Sequence, residues 1–340
     1  MRERYDVAVV GATGLVGETV LAVLAERQFP VGEIYALASE RSEGQEVSFG
    51  ARTIRVSNLA SFDFSRVQIG LFSAGASVSG QYAPKAAEAG CVVIDNTSKF
   101  RYEADVPLVV PEVNAERIAD YRARGIIANP NCSTIQMVVA LKPIHDAVGI
   151  RRINVTTYQA ISGAGRRALE EMVRQTTTLL NGRPLEMEGP AKQIAFNAVP
   201  HIDEFQDNGY TKEEMKMVWE TRKILGDESI QVNATTVRIP VFYGHSEAVH
   251  LETERKITAE EARELLAAAP GVRVMDERTA GGYPTAVTEA SGRDLVWVGR
   301  IREDISHPLG LDMWIVADNI RKGAATNSVQ IAEILAKNHL

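Results

Sequence analysis

An alternation of short apolar strands with amphipathic helices occupies about the first 130 residues and constrains the fold more than any other feature of the chain. The stretch DVAVV at 6–10 predicts a buried strand, and GLVGETVLAVLAERQ at 14–28 has the apolar spacing of a helix. The region also contains predicted strands at 33–39, 67–74 and 91–96 and a predicted helix at 81–90. Repeated strand–helix–strand units with buried strands predict an α/β fold, in which a parallel sheet is covered by helices on both faces.

The pattern changes in the rest of the chain. After a helix predicted at about 133–147, the strands alternate apolar and polar residues, which predicts an antiparallel or mixed sheet with one covered face. These strands are predicted at 153–160, 231–241, 247–254, 295–304 and 311–317, with covering helices at 165–180 and 258–269. The amphipathic segment 327–340 is expected to pack on the first domain. We therefore expect two domains, 1–130 with 319–340 and 131–318.

The bulk composition argues against several classes of protein. A chain of 340 residues with 45% hydrophobic residues suffices for two domains with sizeable cores. An aromatic content of 6%, a net charge of -7 and no long basic run argue against a nucleic-acid surface. No apolar run approaches the ~18–20 residues of a membrane helix, and the start MRERYDV does not resemble a signal peptide. Cys91 and Cys132 are too far apart for a metal or redox motif, so we expect no metal, no membrane or nucleic-acid partner and a reducing, cytoplasmic setting.

Three glycines, Gly11, Gly14 and Gly17, lie between the first predicted strand and helix in a G-x-x-G-x-x-G spacing, one residue off the usual dinucleotide fingerprint. Glycines let the turn close and let a pyrophosphate approach the helix N-terminus, where free N–H groups favour anions. A glycine motif alone is weak, and a plain strand-to-helix turn is the structural alternative. The strand–turn–helix context favours a dinucleotide site.

The end of the second predicted strand bears on the choice of cofactor. An NAD site usually places Asp or Glu there, where the carboxylate binds the ribose hydroxyls. The sequence here is LASERS, in which Ser39, Arg41 and Ser42 offer hydroxyls and a guanidinium suited to a 2′-phosphate. Glu40 is adjacent in sequence and can face away from them. The sequence therefore favours NADP, and a solvated loop is the alternative interpretation.

The stretch NPNCSTIQ places Cys132 among polar residues just ahead of an apolar helical run. Pro130 keeps the preceding residue extended, and the Ser-Thr pair after the cysteine suits a helix start. At a helix N-terminus, the dipole and free N–H groups favour the thiolate, which is the species that attacks carbonyl carbon. Cys91 instead lies in the apolar run GCVVIDN. We interpret Cys132 as a nucleophile and Cys91 as a buried core thiol.

A nucleophilic cysteine needs a proton partner, and the chain has six histidines. His145 lies too far along the predicted Cys132 helix, and His339 is next to the last residue. His245 follows a glycine between two predicted strands, where it can point into a cleft. From the sequence alone, a surface or structural histidine is the commoner interpretation of such a residue.

Ten motifs spread over nearly the whole chain resemble those of the aspartate-β-semialdehyde dehydrogenase family. They are VGATGLVG, ASERSEGQ, VIDNTSKFR, VPLVVPEVN, NPNCSTIQ, TYQAISGAG, NAVPHID, NGYTKEEMKM, TVRIPVFYGHSEAV and DNIRKGAATNSVQIAEI. The resemblance implies a Rossmann-like dinucleotide-binding domain plus an α/β catalytic and dimerisation domain with a mixed sheet. It also implies a homodimer.

The resemblance further implies a reaction, the NADP-dependent phosphorylating oxidation of L-aspartate 4-semialdehyde to L-4-aspartyl phosphate, which biosynthesis runs in reverse. In this chemistry the Cys132 thiolate adds to the aldehyde, hydride passes to NADP⁺, and inorganic phosphate releases the resulting thioester. By the same resemblance His245 is the general acid/base and Gln159 orients the intermediate. The family acts in the pathway to lysine and diaminopimelate, threonine, methionine and isoleucine.

Substrate and cofactor residues also follow from the resemblance. Arg238 would hold the substrate carboxylate bidentately, Glu213 would pair with its ammonium group, and Lys216 and Arg101 would bind phosphate. Further motif positions are Asn131 near the reacting centre, Gln330 near the nicotinamide, and Thr13, Leu15, Val16, Ser162 and Gly163 along the cofactor. Without the resemblance, Glu213 and Lys216 would be interpreted as a surface ion pair and Arg101 as a surface residue.

Three other functions agree less well with the sequence. N-acetyl-γ-glutamyl-phosphate reductase shares the plan and the chemistry, but its substrate lacks a free ammonium, so the carboxylate in EEMKM and the form NPNCSTIQ argue against it. A non-catalytic NADP-binding paralogue would have no need of an intact Cys132, Gln159 and His245. A Cys-His thiol hydrolase would leave the phosphate loop and the 2′-phosphate set unexplained.

Overall fold

The computed structural model describes residues 3–187 and 192–340. The chain divides into two compact units, Met1–Cys132 with Gly323–Leu340 and Ser133–Lys322, here called the first and second units. Across the described ranges, no helix combines the length and apolar character needed to cross a membrane.

The helices are, in chain order, α1 Leu15–Glu26, α2 Ala76–Glu88, α3 Pro111–Asn114, α4 Cys132–Val148, α5 Arg166–Leu180, α6 Lys212–Leu225, α7 Ala259–Ala268 and α8 Thr326–Asn338. The strands of the first unit are β1 Tyr5–Val10, β2 Val31–Ala38, β3 Glu46–Phe49, β4 Arg52–Arg55, β5 Ser57–Asn58, β6 Ile69–Phe72, β7 Val92–Asp95 and β8 Ile126–Ala128. The strands of the second unit are β9 Ile150–Gln159, β10 Gln231–Arg238, β11 His245–Thr253, β12 Val272–Val274, β13 Val296–Glu303 and β14 Gly310–Ala317.

A parallel sheet forms the centre of the first unit, with strand order β5-β2-β1-β6-β7-β8. Its central strands are buried on both faces, which explains their continuous apolar runs. Helices α1 and α8 contribute Leu21, Leu24 and Leu335 to the same core, so the predicted return of the C-terminal helix is confirmed. The strand order reverses between β1 and β6, and in doubly wound sheets ligands bind at the carboxyl ends of strands at such a point.

The second unit has a mixed sheet with strand order β10-β9-β11-β14-β13-β12. Strand β9 pairs in parallel with β10 and antiparallel with β11. Residues alternate along β9, so that Val155 and Thr157 are buried whereas Thr156 and Tyr158 are half-buried. The side chains of Tyr158 and Trp314 are in ring contact on the half-buried face, with centroids 5.5 Å apart. The predicted fold class, a parallel α/β domain plus a mixed-sheet domain, is confirmed.

Some element bounds were wrong. The second helix begins at Ala76, whereas the sequence predicted a start at 81. The first turn was missed because the stretch SVSG, made of small and mostly polar residues, has no apolar periodicity. Strand β10 ends at Arg238, before Pro240, which cannot donate to a sheet ladder. Strand β11 begins at His245 instead of 247. The hairpin of β3 and β4 was not predicted, since each strand is only four residues long and carries few apolar residues.

Candidate functional site

The glycine turn after β1 is closed by backbone-to-backbone contact. Gly11 has φ +85°, and a Cβ there would lie 2.9 Å from the backbone nitrogen of Ala74, which follows β6. A Cβ on Gly17 would overlap the carbonyl of Gly11. Helix α1 starts after Gly14, which has no side chain to cap it, so backbone N–H groups at its first turn are available to an anion. The turn therefore has the shape and polarity that a pyrophosphate needs, and Thr13, Leu15 and Val16 lie along it.

The end of β2 lies beside this turn, because β2 is the sheet neighbour of β1. Ser39 precedes a short helical turn, Glu40–Ser42, and its carbonyl accepts a hydrogen bond of 2.9 Å from the N–H of Ser42. Ser39 and Arg41 are exposed and Ser42 is half-buried. Glu40 is exposed too. The donor set of two hydroxyls and a guanidinium is chemically suited to a phosphate group.

The loop that leads to Cys132 is fixed by a buried network of asparagines in the first unit. The amide of Asn129 donates to the side-chain oxygen of Asn96 at 2.6 Å, and its own oxygen accepts from Asn327 at 2.7 Å. Arg101 donates from Nε to the Asn129 carbonyl and from Nη2 to the Asn96 carbonyl, both at 2.9 Å. Arg101 is only 6% exposed, so the interpretation of Arg101 as a surface residue, which its sequence position alone would suggest, is wrong.

Cys132 is the first residue of α4, as the sequence predicts, and it is a half-buried cysteine that forms no disulfide. Asn131 before it is buried. Cys91 is 1% exposed, and burial raises the pKa of its thiol to about 12, so it is confirmed as a core thiol that stays protonated. The two cysteines thus differ in the property that sets reactivity, which is access to the thiol.

His245 opens β11 and is fully buried, which rules out a surface histidine. The N–H of Ala160 donates to its Nδ1 at 3.0 Å, so the neutral ring carries its proton on Nε2. Burial, and then the charge of Arg238, lower the pKa of His245 to about 3, with Glu213 acting in the opposite direction. The imidazole is therefore neutral at physiological pH.

Gln159 ends β9 and holds two side chains of the second unit together. Its Oε1 accepts from the hydroxyl of Thr157 at 3.0 Å, and its Nε2 donates to Oε1 of Glu213 at 3.1 Å. The same Nε2 lies 3.4 Å from Nε2 of His245. The amide orientation is set by Thr157 and Glu213, since a rotated amide would turn its oxygen toward the carboxylate.

Arg238 pairs in register with Gln159, because β10 and β9 run parallel and end together. Its Nη1 donates to the carbonyl of Ala160 at 2.6 Å. A Cβ on Gly163 would lie 3.2 Å from that Nη1 and 3.5 Å from Nε2 of His245. Glycine at this position therefore leaves space beside both functional groups.

Two residues that the sequence did not single out support this cluster. Asn319 accepts at Oδ1 from the N–H of Gly244, directly before His245, at 2.9 Å, and its Nδ2 donates to the hydroxyl of Ser162 at 3.0 Å. Asp203 accepts at Oδ2 from the ammonium of Lys216 at 2.7 Å. Both lie within the family-like motifs, but the role of each depends on residues distant in sequence, which a motif does not reveal.

Glu213 and Lys216 form an ion pair of 2.8 Å on α6, and it is not the surface pair that the residues alone would suggest. The Glu213 side chain is 7% exposed and that of Lys216 12%. In the first unit, Gln330 on α8 is half-buried and donates to Glu112 at 3.0 Å. The described residues contain no group of three or more side chains arranged to hold a metal ion.

Glu247 is a further buried ionisable group on the same face of β11 as His245. It lies opposite Thr157 in the β11–β9 register. Burial raises the pKa of Glu247 well above its ordinary value, and the amide of Gln136 on α4 opposes the rise only in part. Within the described part of the chain, neither side chain makes a hydrogen bond of normal geometry. Burial therefore favours the neutral carboxylic acid of Glu247 over its carboxylate.

The chain matches two family models. Residues 6–121 match the NAD binding domain of semialdehyde dehydrogenase, and residues 141–322 match the semialdehyde dehydrogenase dimerisation domain.

Relatives and solved structures resemble the chain over nearly its whole length. Aspartate-semialdehyde dehydrogenase of Legionella pneumophila is 64% identical over 340 residues, which are 100% of this chain and 98% of the relative. The crystal structure of aspartate semialdehyde dehydrogenase II complexed with ASA, from Vibrio cholerae, is 60% identical, has a TM-score of 0.97 and is covered over 100% of both chains. The Candida albicans enzyme crystallised with NADP is 28% identical, has a TM-score of 0.77 and is covered over 98% of both chains. This chain therefore belongs to the aspartate-semialdehyde dehydrogenase family of oxidoreductases.

Proposed function

We propose that the enzyme catalyses the NADP-dependent phosphorylating oxidation of L-aspartate 4-semialdehyde to L-4-aspartyl phosphate, and the reverse reduction in biosynthesis. The observation that carries the proposal is the grouping of Gln159, Glu213, Arg238 and His245 in one buried cluster of the second unit. This cluster offers a cation for a carboxylate, an anion for an ammonium and an imidazole for proton transfer. The half-buried thiol of Cys132 at the start of α4 supplies the nucleophile.

In the proposed mechanism the Cys132 thiolate attacks the aldehyde carbon and is later released when phosphate attacks the thioester. Bound NADP⁺ supplies the hydride acceptor. His245 carries its proton on Nε2, because Nδ1 accepts from Ala160, and that N–H can stabilise the oxygen that becomes negative on thiolate addition. Gln159, fixed by Thr157 and Glu213, orients the same intermediate.

Substrate binding offers a way to tune His245. The charge of Arg238 is one cause of its low pKa, after burial. A substrate carboxylate bound to Arg238 would offset that charge and raise the pKa of the imidazole. The ring would then exchange a proton more readily in the complex than in the free enzyme.

We assign the two charges of the substrate to two residues. Arg238 binds the carboxylate through its planar guanidinium, and Glu213 binds the ammonium. Lys216 and Arg101 bind inorganic phosphate, and Asn131 lies beside the reacting thiol. The Vibrio cholerae relative crystallised with ASA supports this substrate class.

The first unit is proposed to bind NADP in preference to NAD. Gly11, Gly14 and Gly17 form a turn that a Cβ would fill, and the match to an NAD binding domain covers the same residues. Ser39, Arg41 and Ser42 would contact the 2′-phosphate. Ser162, Gly163 and Gln330 would contact the nicotinamide half. The NADP complex of the Candida albicans relative supports this choice.

The second unit is proposed to carry catalysis and dimerisation, with the domain limits near 130 and 319 that the sequence predicts. The half-buried face of its sheet, around Tyr158 and Trp314, is the surface that we assign to a second copy. The match to a dimerisation domain covers these strands. The assembly would be a homodimer.

The aldehyde and the acyl phosphate place the enzyme in amino-acid biosynthesis. We propose that it serves the branch to lysine and diaminopimelate, threonine, methionine and isoleucine. A catalytic thiol must stay reduced, and neither Cys91 nor Cys132 forms a disulfide, which suits the cytoplasm.

The test is an assay of the purified enzyme at the nicotinamide absorbance, with L-aspartate 4-semialdehyde, phosphate and NADP⁺. We expect turnover that requires phosphate and is faster with NADP⁺ than with NAD⁺. N-acetyl-glutamate semialdehyde, the substrate of N-acetyl-γ-glutamyl-phosphate reductase, serves as the competing aldehyde. Faster turnover of that compound would overturn the proposed substrate.

A further inference from the structure

Lys216 lies between two carboxylates. Its Nζ donates to Oε2 of Glu213 at 2.8 Å and to Oδ2 of Asp203 at 2.7 Å. Burial acts to lower the pKa of Lys216, but the two carboxylates outweigh it and raise that pKa, so the ammonium stays charged. The three side chains form a unit whose sum is one negative charge.

This net charge matters because Lys216, without Asp203, would neutralise the negative charge of Glu213. A carboxylate already paired with a buried ammonium has little attraction left for a second ammonium, since the two cations repel each other at short range. Asp203 binds Lys216 from the other side and neutralises it. The negative charge of Glu213 is then available to a ligand.

We propose that Asp203 is a specificity-determining residue, which neutralises Lys216 so that Glu213 can select an aldehyde substrate with an ammonium group. This inference rests on the proposed function, and it assigns a role to a side chain outside the substrate set named above. Asp203 acts through Lys216 and is a positioning residue rather than a catalytic one.

The backbone at Asp203 agrees with a dedicated placement. Asp203 has φ +69°, a left-handed conformation that few non-glycine residues adopt. Its Oδ1 accepts from the N–H of Glu204 at 2.9 Å, while Oδ2 is left to bind Lys216. Asparagine tolerates this conformation and keeps one oxygen. The substitution Asp203→Asn therefore removes the charge with little change in shape.

The experiment compares kcat/KM for L-aspartate 4-semialdehyde with that for succinate semialdehyde, which lacks only the amino group. For Asp203→Asn we expect a loss of about ten- to a hundredfold on the amino substrate, the range for a hydrogen bond to a charged group. The loss on succinate semialdehyde should be about threefold or less, since the substrate has no ammonium to be read. The ratio of the two values is the readout.

Two further variants make the outcome specific. Glu204→Gln removes a charge from the adjacent exposed residue and should leave the ratio unchanged. The double variant Asp203→Asn with Lys216→Met again leaves one negative charge on Glu213, so it should restore the ratio toward wild type even if phosphate-dependent turnover falls. A purely structural role for Asp203 gives no reason for such a recovery.

Failure of this inference differs from failure of the proposed function. If the wild-type enzyme does not oxidise L-aspartate 4-semialdehyde, the function is wrong. If it does, but Asp203→Asn lowers kcat/KM equally for both aldehydes, or changes only KM for phosphate, then Asp203 does not set specificity. Failure of the double variant to recover the ratio, while it folds with a wild-type circular dichroism spectrum, would also overturn the inference.

Discussion

The glycine turn of the first unit and the charged cluster of the second unit are built in opposite ways. The turn is made of backbone: Gly11 and Gly17 are needed because a Cβ has no room, and no side chain caps α1. The cluster is made of side chains from strand ends and a helix, at Gln159, Glu213 and Arg238. A backbone site is encoded in adjacent residues, whereas a side-chain cluster is encoded only by the fold.

The difference also separates what each region can do. Backbone N–H groups can bind the phosphate group of any phosphate ester, and most single side-chain substitutions leave this binding unchanged. The cluster discriminates between substrates by charge and hydrogen bonding, so a single substitution of any of its side chains can abolish that discrimination. Chemistry and cofactor binding should therefore fail independently.

The largest expected effect is that of Cys132→Ala. The covalent steps cannot proceed without the thiolate, so turnover should fall by about a thousandfold or more. NADP binding, measured by calorimetry, should stay within about threefold of wild type, because the glycine turn is untouched. Residual activity within tenfold of wild type would remove Cys132 from the mechanism.

Cys91→Ser is the matched control for the loss of a thiol. Cys91 is buried among apolar residues, and a hydroxyl there lacks the apolar character of sulfur. We expect a lower melting temperature with kcat close to wild type. A large loss of kcat without a change in stability would contradict the division between a reactive and a structural cysteine.

Arg238→Lys tests the planar guanidinium within the cluster. Lysine keeps the charge but loses the fork that would hold a carboxylate and the contact with the Ala160 carbonyl, so kcat/KM should fall by about ten- to a hundredfold. Arg273, an exposed arginine on β12, provides the matched control, and Arg273→Lys should be near wild type. Equal activity of both variants would show that charge alone is sufficient at position 238.

Arg41→Ala should have a smaller and more selective effect. The guanidinium is proposed to contact only the 2′-phosphate, so NADP affinity should fall by about tenfold and NAD affinity should not change. Arg52→Ala, an exposed arginine of the same unit, controls for the loss of positive charge. Equal losses for both cofactors with Arg41→Ala would mean that the residue is structural.

Much of the first unit could be predicted from the sequence. Buried parallel strands give continuous apolar runs, and glycines mark the turn after β1, so the local signal and the final structure agree. Cys132 at the start of α4 follows from the proline before it and the Ser-Thr pair after it. These features depend on neighbours in the chain.

The side-chain environment of the cluster could not be predicted, because it depends on residues distant in sequence. From its turn alone, a surface or structural residue is the commoner interpretation of His245, and only the family resemblance implies a catalytic role. In the structure β9 and β11 bury His245 against Ala160. Asp203 and Asn319 lie within the motifs NAVPHID and DNIRKGAATNSVQIAEI, but only their contacts with Lys216 and Gly244 make them functional candidates. The burial of Arg101 likewise arises from two separate strand ends.

Glu247→Gln should have the smallest effect on activity and a measurable one on stability. Glu247 faces Gln136 and lies on the same side of the sheet as Thr157 and His245, in a fully buried position that raises its pKa. Because burial raises this pKa, the carboxyl keeps its proton to a higher pH in the folded enzyme than in the unfolded chain, where it loses the proton above its ordinary pKa. The unfolded state then binds fewer protons, so the free energy of unfolding falls as pH rises, by up to about 1.4 kcal/mol per pH unit. Glutamine has nearly the same shape and does not titrate, so the stability of the variant should rise relative to wild type as pH increases above the ordinary glutamate pKa, as measured by denaturant unfolding at several pH values. The matched control Glu228→Gln, at an exposed glutamate, should show no such trend with pH. If Glu247→Gln and wild type keep a constant difference in stability as pH rises, burial does not raise the pKa of this carboxyl.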